Sequence, residues 1–282
     1  MNAFNASYLE IEPRELVEYL LRETGQSERE SVNPADLLRF LNLDYISFNF
    51  AAELPLGAQQ TVGNAAPRAL ISFSDRIVAT DELLDIKRTR FSVLHEIAHY
   101  VLPNHEHALY VCDDLGLSLA AKLSLEREAN EFAADLLFLG DRFSLDANTR
   151  AISALTVKEL ATKYQASFEA TARRLVEKNF RPCMLVAFKQ ASGIARLDAE
   201  EAVPWSVRYC ATSPTFRTRH FERITGNVPP EIAAEVTKPG RDIEQSSICE
   251  VTVQSPSRDD AQRYRGEFFS NTYNIFCLLT PS

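Results

Sequence analysis

The chain has only 5 cysteines in 282 residues, an odd number with no CxxC pair. That excludes a disulfide-stapled secreted scaffold and predicts free thiols in a reducing cytoplasm. Without clustered cysteines a closed structural zinc tetrad is also disfavoured. No run of about 18 apolar residues occurs, so no helix is expected to span a membrane. Residues 1–7 carry neither the basic segment nor the apolar core of a secretory signal. Glycine is sparse, at 9 residues, and no Gly-rich phosphate loop, internal repeat or low-complexity tract appears. Basic charge is in deficit: 30 Lys and Arg against 39 Asp and Glu leave −9 at pH 7. A protein that mainly grips nucleic acid through phosphates would show the opposite balance, although a local basic patch survives that test.

Histidine is as scarce as cysteine, with 5 residues, and two of them stand in His95-Glu96-Ile97-Ala98-His99. At that composition a chance HExxH is expected in fewer than about one such chain in a hundred. Residues i and i+4 share a helix face about 5–6 Å apart, so both imidazoles can reach one Zn²⁺. Glu96 points off that face, placed to take a proton from a water at the metal rather than to bind the ion. Phe91, Leu94, Ala98, Val101 and Leu102 recur at helical spacing, and Pro103 ends the pattern, which predicts a helix over 87–102. Lys87, Arg88 and Arg90 lie in its first turns, against the dipole preference, and are expected to reach outward.

A catalytic zinc takes three protein ligands and keeps one position open. Two residues compete for the third place. His105 has the metzincin distance from His95, but Leu102 stands where that pattern needs glycine, and neither Met1 nor Met184 is placed for a Met-turn. Glu126 begins a second helical stripe of Leu125, Ala129, Phe132, Ala133 and Leu136. Asn130 follows it by one turn, suited to orient one of the histidines behind the ion. Beside an HExxH motif, Glu126 is the better candidate.

The run HEIAHYVL followed by ExxANxFAAxLL resembles the ImmA/IrrE family of zinc metallopeptidases, over residues 30–178. Arg90-Phe91-Ser92-Val93-Leu94 is similar to the run that precedes the motif in that family. Leu137-Phe138-Leu139-Gly140 departs from its usual LLMP. The resemblance implies a zincin-like fold with His95, His99 and Glu126 as metal ligands, and a helix-turn-helix repressor as substrate. Cutting that repressor would derepress stress-response or mobile-element genes.

Three parts are expected. Residues 1–150 read as an α+β metallopeptidase domain, with helices at Pro13–Glu23 and Pro34–Phe40. Strands are expected at Tyr45–Phe50, Ala69–Phe73 and Arg76–Thr80. The segment Asn104–Ser118 reads as a loop over the cleft. Residues 151–180 hold a helix pair with a capping box at Thr156–Glu159. It is either a helix-turn-helix contacting DNA through Lys158, Lys163, Arg173, Arg174 and Lys178, or a helical connector. Residues 181–282 read as an α+β domain with a largely antiparallel sheet. Its strands are placed at Cys183–Phe188, Ile194–Leu197, Ser247–Gln254, Tyr264–Phe269 and Tyr273–Leu279. Long relatives carry a GAF-like sensory domain at this point, which raises the prospect of a small-molecule ligand. The aromatics Trp205, Phe216, Phe221, Phe268, Phe269, Tyr273 and Phe276 read as core, and His220 as a surface or capping residue. The functional expectation is a zinc-dependent endopeptidase. Its rival is a regulator that keeps the zincin fold to bind a repressor or DNA without cutting. Tyr100 and Tyr110 bring hydroxyl groups near the motif, and sequence assigns neither of them to the oxyanion.

Overall fold

A computed structural model describes residues 11–53, 68–106, 119–190, 205–220, 224, 230–236, 246–254, 261–271 and 274–282. The expected strand at Ile194–Leu197, residues 107–118 of the cleft loop, and Phe221 and Tyr273 lie outside this set. The fold is α+β. Two compact units divide the chain, residues 1–143 with 163–166 and residues 144–162 with 167–282.

The first unit begins with α1 (Pro13–Glu23), opened by a proline whose fixed φ suits the first helical turn. It closes at Gly25, whose φ of +66° is the left-handed conformation that ends many helices. In α2 (Pro34–Leu41) the Asn33 side chain accepts from the Ala35 amide at 3.1 Å. The next strand is β1 (Asp44–Phe48). It stops short of Phe50 because the Asn49 side chain accepts from the Ala52 amide at 3.0 Å and starts a helical turn, α3 (Phe50–Glu53). With β2 (Ala69–Ser72) and β3 (Ile77–Asp81) it forms a sheet of order β1-β3-β2. β1 runs parallel to β3, with Tyr45 opposite Val78, and β2 runs antiparallel, with Ile71 opposite Val78. Among the described strands, β2 is therefore an edge.

Against β3 and β2 packs α4 (Ile86–Val101), which carries the HExxH residues. Asp85 caps it, accepting from the Lys87 and Arg88 amides at 3.0 and 3.1 Å, and Leu102 leaves helical geometry just before Pro103. Leu94, Ile97 and Ala98 are fully buried along it. Arg90 does not reach outward: its guanidinium donates to the Val32 carbonyl at 2.6 Å. The helix leaves Arg90 beside the carbonyl end of a neighbouring loop, and that hydrogen bond offsets its partial burial. The long helix α5 (Leu119–Leu137) packs on α4 and α1, burying Ala129, Phe132, Ala133 and Leu136. A further helix, α6 (Asp141–Asn148), follows a turn in which Leu139 and Gly140 both take positive φ. Phe138, Phe143 and Tyr164 form a buried ring cluster with centroids 4.6–5.8 Å apart.

The second unit is built on a sheet of β4 (Met184–Gln190), β5 (Trp205–Thr212), β6 (Ser247–Gln254), β7 (Ala261–Ser270) and β8 (Ile275–Pro281). Its order is β5-β4-β8-β7-β6, and every described pairing is antiparallel. One face holds Met184, Val186, Phe188, Val251, Tyr264, Phe268, Cys277 and Leu279. It is closed by Phe216 of α9 (Pro214–Arg219) and by Ile232 and Val236 of α10 (Pro230–Val236). Gly266 lies under this layer because a Cβ there would meet Val251 Cγ2 at 2.8 Å. The other face receives α7 (Ala154–Lys163) and α8 (Phe168–Glu177). The Phe168 ring of α8 lies 5.4 Å from Phe269 and 6.1 Å from Phe276. Buried Glu267 of β7 accepts from the Ala154 amide at 3.1 Å, placing a carboxylate on the N-terminus of α7.

The cap of α7 sits three residues earlier than the expected box. Ser153 Oγ accepts from the Thr156 amide at 3.2 Å, and Glu159 turns instead to Arg150 at 2.5 Å. The basic residues suggested for DNA are largely engaged within the chain. Arg174 is buried, Arg173 bonds Glu177 at 2.7 Å, and Lys163 lies over the Tyr164 ring. His220 is half-buried, with Nδ1 3.0 Å from both Gln262 Oε1 and Tyr264 Oη, so it is not a surface residue.

Candidate metal centre

Three side chains from two helices converge. His95 and His99 project from one face of α4, one turn apart, and Glu126 reaches across from α5. Nε2 of His95 and Nε2 of His99 are 3.1 Å apart. Glu126 offers one oxygen to each, Oε2 at 3.3 Å from His95 and Oε1 at 3.5 Å from His99. Among the described residues this is the group of donors close enough to hold one ion. The spacing fits a particular kind of ion. Four ligands at zinc bond lengths of 2.0–2.2 Å in a tetrahedron stand about 3.3–3.6 Å from one another. The 3.1 Å between the two imidazole nitrogens is closed either by a proton on one of them or by an ion between them. Two neutral nitrogens and one carboxylate are also the donor types of catalytic zinc.

The electrostatics agree. Hydrogen bonds from His95 and then His99 hold the Glu126 carboxyl far below its ordinary range, although burial opposes them. Burial pushes His95 down, but the Glu126 hydrogen bond, the charges of Glu96 and Glu126, and Asn130 together raise it above an ordinary imidazole. Glu96 is buried on the same helix and is absent from the ligand group. Burial raises its carboxyl above the usual value, His95 and His99 pull it back, and Glu126 adds to the rise. A carboxylate held ready to take a proton is the property a general base needs.

His105, the rival third ligand, is completely buried but not aimed at the cluster. Its Nδ1 lies 2.9 Å from Nδ1 of His99, on the side of that ring away from Glu126, and its Nε2 lies 3.3 Å from Glu128 Oε2. Burial is the largest influence on His105 and lowers its pKa, against the pull of Glu128. Asn130 donates to the backbone carbonyl of Glu126 at 2.7 Å, and His95 Nδ1 has no hydrogen-bond partner among the described residues. Tyr100 is buried with its ring stacked on Phe73 at 6.1 Å, and its hydroxyl has no hydrogen-bond partner among the described residues. Tyr110 lies outside the described residues. The residue that sequence reasoning does not single out is Glu128. Its place two positions after Glu126 carries no signal, because its role depends on where His105 folds back.

Residues 51–176 match the family model described as the IrrE N-terminal-like domain, Peptidase_M78. Over those residues the chain is similar to that family. All three clustered donors, together with Glu96, His105 and Glu128, fall inside the matched span. The IrrE N-terminal-like match also runs through α7 and α8. A solved Mycobacterium tuberculosis transcriptional regulator is similar in fold, with a TM-score of 0.60 at 13% identity. The alignment covers 99% of this chain and 79% of that one. A search of curated proteins gave no match.

Proposed function

We propose that the chain is a zinc-dependent endopeptidase that cuts a helix-turn-helix transcriptional repressor. The cut would derepress stress-response, DNA-damage or mobile-element genes. The observation that carries this reading is Glu96: a buried carboxylate with a raised pKa beside three convergent donors, on the ligand helix but not among the ligands. His95, His99 and Glu126 would hold the ion, and Asn130 would steady the helix backbone at Glu126 behind it. Zinc bound there supplies Lewis acidity towards a water and towards the scissile carbonyl. Glu96 removes a proton from the attacking water and returns it to the amine that leaves. The outer edge of β2, packed beside α4 and unpaired among the described strands, suits an extended peptide held by backbone hydrogen bonds.

Residues 181–282 would tune this activity, by sensing a small molecule or by shielding the cleft. DNA contact through residues 156–178 has less support, since Arg173 and Arg174 are committed within the chain. A cytoplasmic location agrees with thiols rather than disulfides at Cys183, Cys210, Cys249 and Cys277. It agrees as well with the finding that no described helix is long and apolar enough to cross a membrane. The second reading is a regulator that binds its repressor or DNA without cutting. The likeness in fold to a transcriptional regulator of Mycobacterium tuberculosis favours it. An intact Glu96 weighs against it, because pure binding has no use for a buried base.

The test is gel analysis of the full-length, zinc-loaded chain with the repressor encoded beside it and with casein, each with and without a chelator. One chelator-sensitive cut in the repressor and intact casein is the expected outcome. Rapid casein digestion with an untouched repressor would sink the specific assignment, and no cutting of either would favour the binding protein.

A further inference from the structure

We propose that His105 and Glu128 are positioning residues: together they lock the His99 ring in the one tautomer and orientation that can bind a metal through Nε2. This rests on the reading that His95, His99 and Glu126 hold a metal ion.

The protons follow from the geometry once His99 ligates through Nε2. Nε2 of His99 faces His95 and Glu126, at 3.1 and 3.5 Å. A neutral imidazole that ligates through Nε2 carries its proton on Nδ1. That N–H has an acceptor, His105 Nδ1 at 2.9 Å. To accept there, His105 must carry its own proton on Nε2, and that nitrogen faces the Glu128 carboxylate at 3.3 Å. With an ion at the site, one assignment satisfies each contact: Glu128 accepts from His105, His105 accepts from His99, and His99 presents a lone pair to the metal. Reversing the His99–His105 bond would put the proton on His99 Nε2 and turn an N–H towards the metal position.

Metal-binding histidines usually donate directly to a carboxylate or a backbone carbonyl. Here a second imidazole is interposed. The chain after α4 is shaped to deliver it: Pro103 ends the helix, Asn104 takes φ +67°, and His105 folds back to a site with no solvent exposure. A buried imidazole whose two nitrogens meet a ligand histidine and a carboxylate has little freedom to turn. The ten-residue distance from His95 to His105 thus serves the metal through His99 rather than by direct coordination.

The experiment measures zinc affinity of the full-length chain by competition with a chromophoric chelator, for wild type, His105→Leu, His105→Gln and Glu128→Gln. Loss of such a supporting partner costs on the order of 10–100-fold in metal affinity, and that weakening is expected for His105→Leu. His105→Gln, whose amide oxygen can accept from Nδ1–H, should stay within a few-fold of wild type, with Glu128→Gln between the two. In the cobalt-loaded protein, the shifted ring N–H of His99 should resist exchange in wild type and exchange rapidly in His105→Leu. Unfolding of the metal-free proteins reports packing separately. If His105→Leu does not fold, Glu128→Gln decides, and unchanged affinity with unchanged N–H exchange overturns the idea. Equal weakening by Leu and Gln would assign His105 a packing role and overturn it too. Wild type that binds zinc tightly alongside an equally tight His105→Leu would refute this proposal alone. Wild type that binds no metal would refute it together with the metallopeptidase reading.

Discussion

Replacing Glu96 by Gln keeps the shape of the side chain and removes the base. In the proposed mechanism the rate of repressor cleavage falls by about 10²–10⁴, the typical worth of a general base. At 1.36 kcal/mol per decade this corresponds to about 3–5 kcal/mol of lost transition-state stabilisation. Metal content should not change, because Glu96 is not among the converging donors. Stability should move the opposite way. The folded carboxyl has a raised pKa, so the folded state holds that proton more tightly than the unfolded chain does. Folding is then progressively penalised as pH rises from the unfolded value towards and through the folded one. The Gln variant escapes this penalty, so the metal-free variant should melt above metal-free wild type at neutral pH, and the gap should close on acidification below about pH 4. Single-turnover cleavage followed on gels, with thermal unfolding at both pH values, measures the two effects. Undiminished turnover would show that another group activates the water. A variant less stable at neutral pH would show that Glu96 is a structural anion.

Glu126→Ala should lose zinc altogether, while His105→Ala keeps a stoichiometric ion at saturating zinc; elemental analysis with the two results exchanged would restore His105 as the third ligand. Zinc affinity should fall as pH drops through neutrality, because protonated imidazole cannot ligate and the His95 pKa is raised, while Glu126 stays charged throughout. Chelator competition between pH 8 and pH 6 checks the sign, and a flat profile would contradict it. Gly266→Ala should destabilise the C-terminal sheet by about 1–3 kcal/mol, or about 3–12 °C in melting temperature, since its Cβ has Val251 at 2.8 Å and Phe268 at 3.0 Å. Calorimetry showing no shift would mean the layer gives way more easily than its packing implies.

The parts of the chain that can be read from sequence are those in which local chemistry decides the outcome. Pro13, the Asn33-Pro34 pair and Pro103 mark helix ends because a missing amide and a capping side chain act within a few residues. HExxH and the stripe through Leu136 declare two helices, and the three donors come together because helix spacing and one long-range packing choice determine them. Trp205–Thr212 is not legible as a strand, although its apolar residues alternate. A bulge at Arg208 shifts the register opposite Ala187 and Phe188, so Trp205, Val207 and Cys210 face one core across a break in the period. The role of His105 is hidden for another reason. Spacing says how far along the chain a histidine lies, not which of its nitrogens meets which neighbour.

The seam between the two units does not fall where the family match ends. The match stops at residue 176, inside α8, whose Ala172, Leu175 and Val176 are buried and whose Phe168 lies on the rings of the C-terminal sheet. The turn before that helix, Lys163–Ala166, belongs to the first unit. A cut at the family boundary would therefore leave an amphipathic helix with its greasy side bare. The sheet is consequently no detachable appendix: removing it would strip the cover from a helix that the family match itself includes.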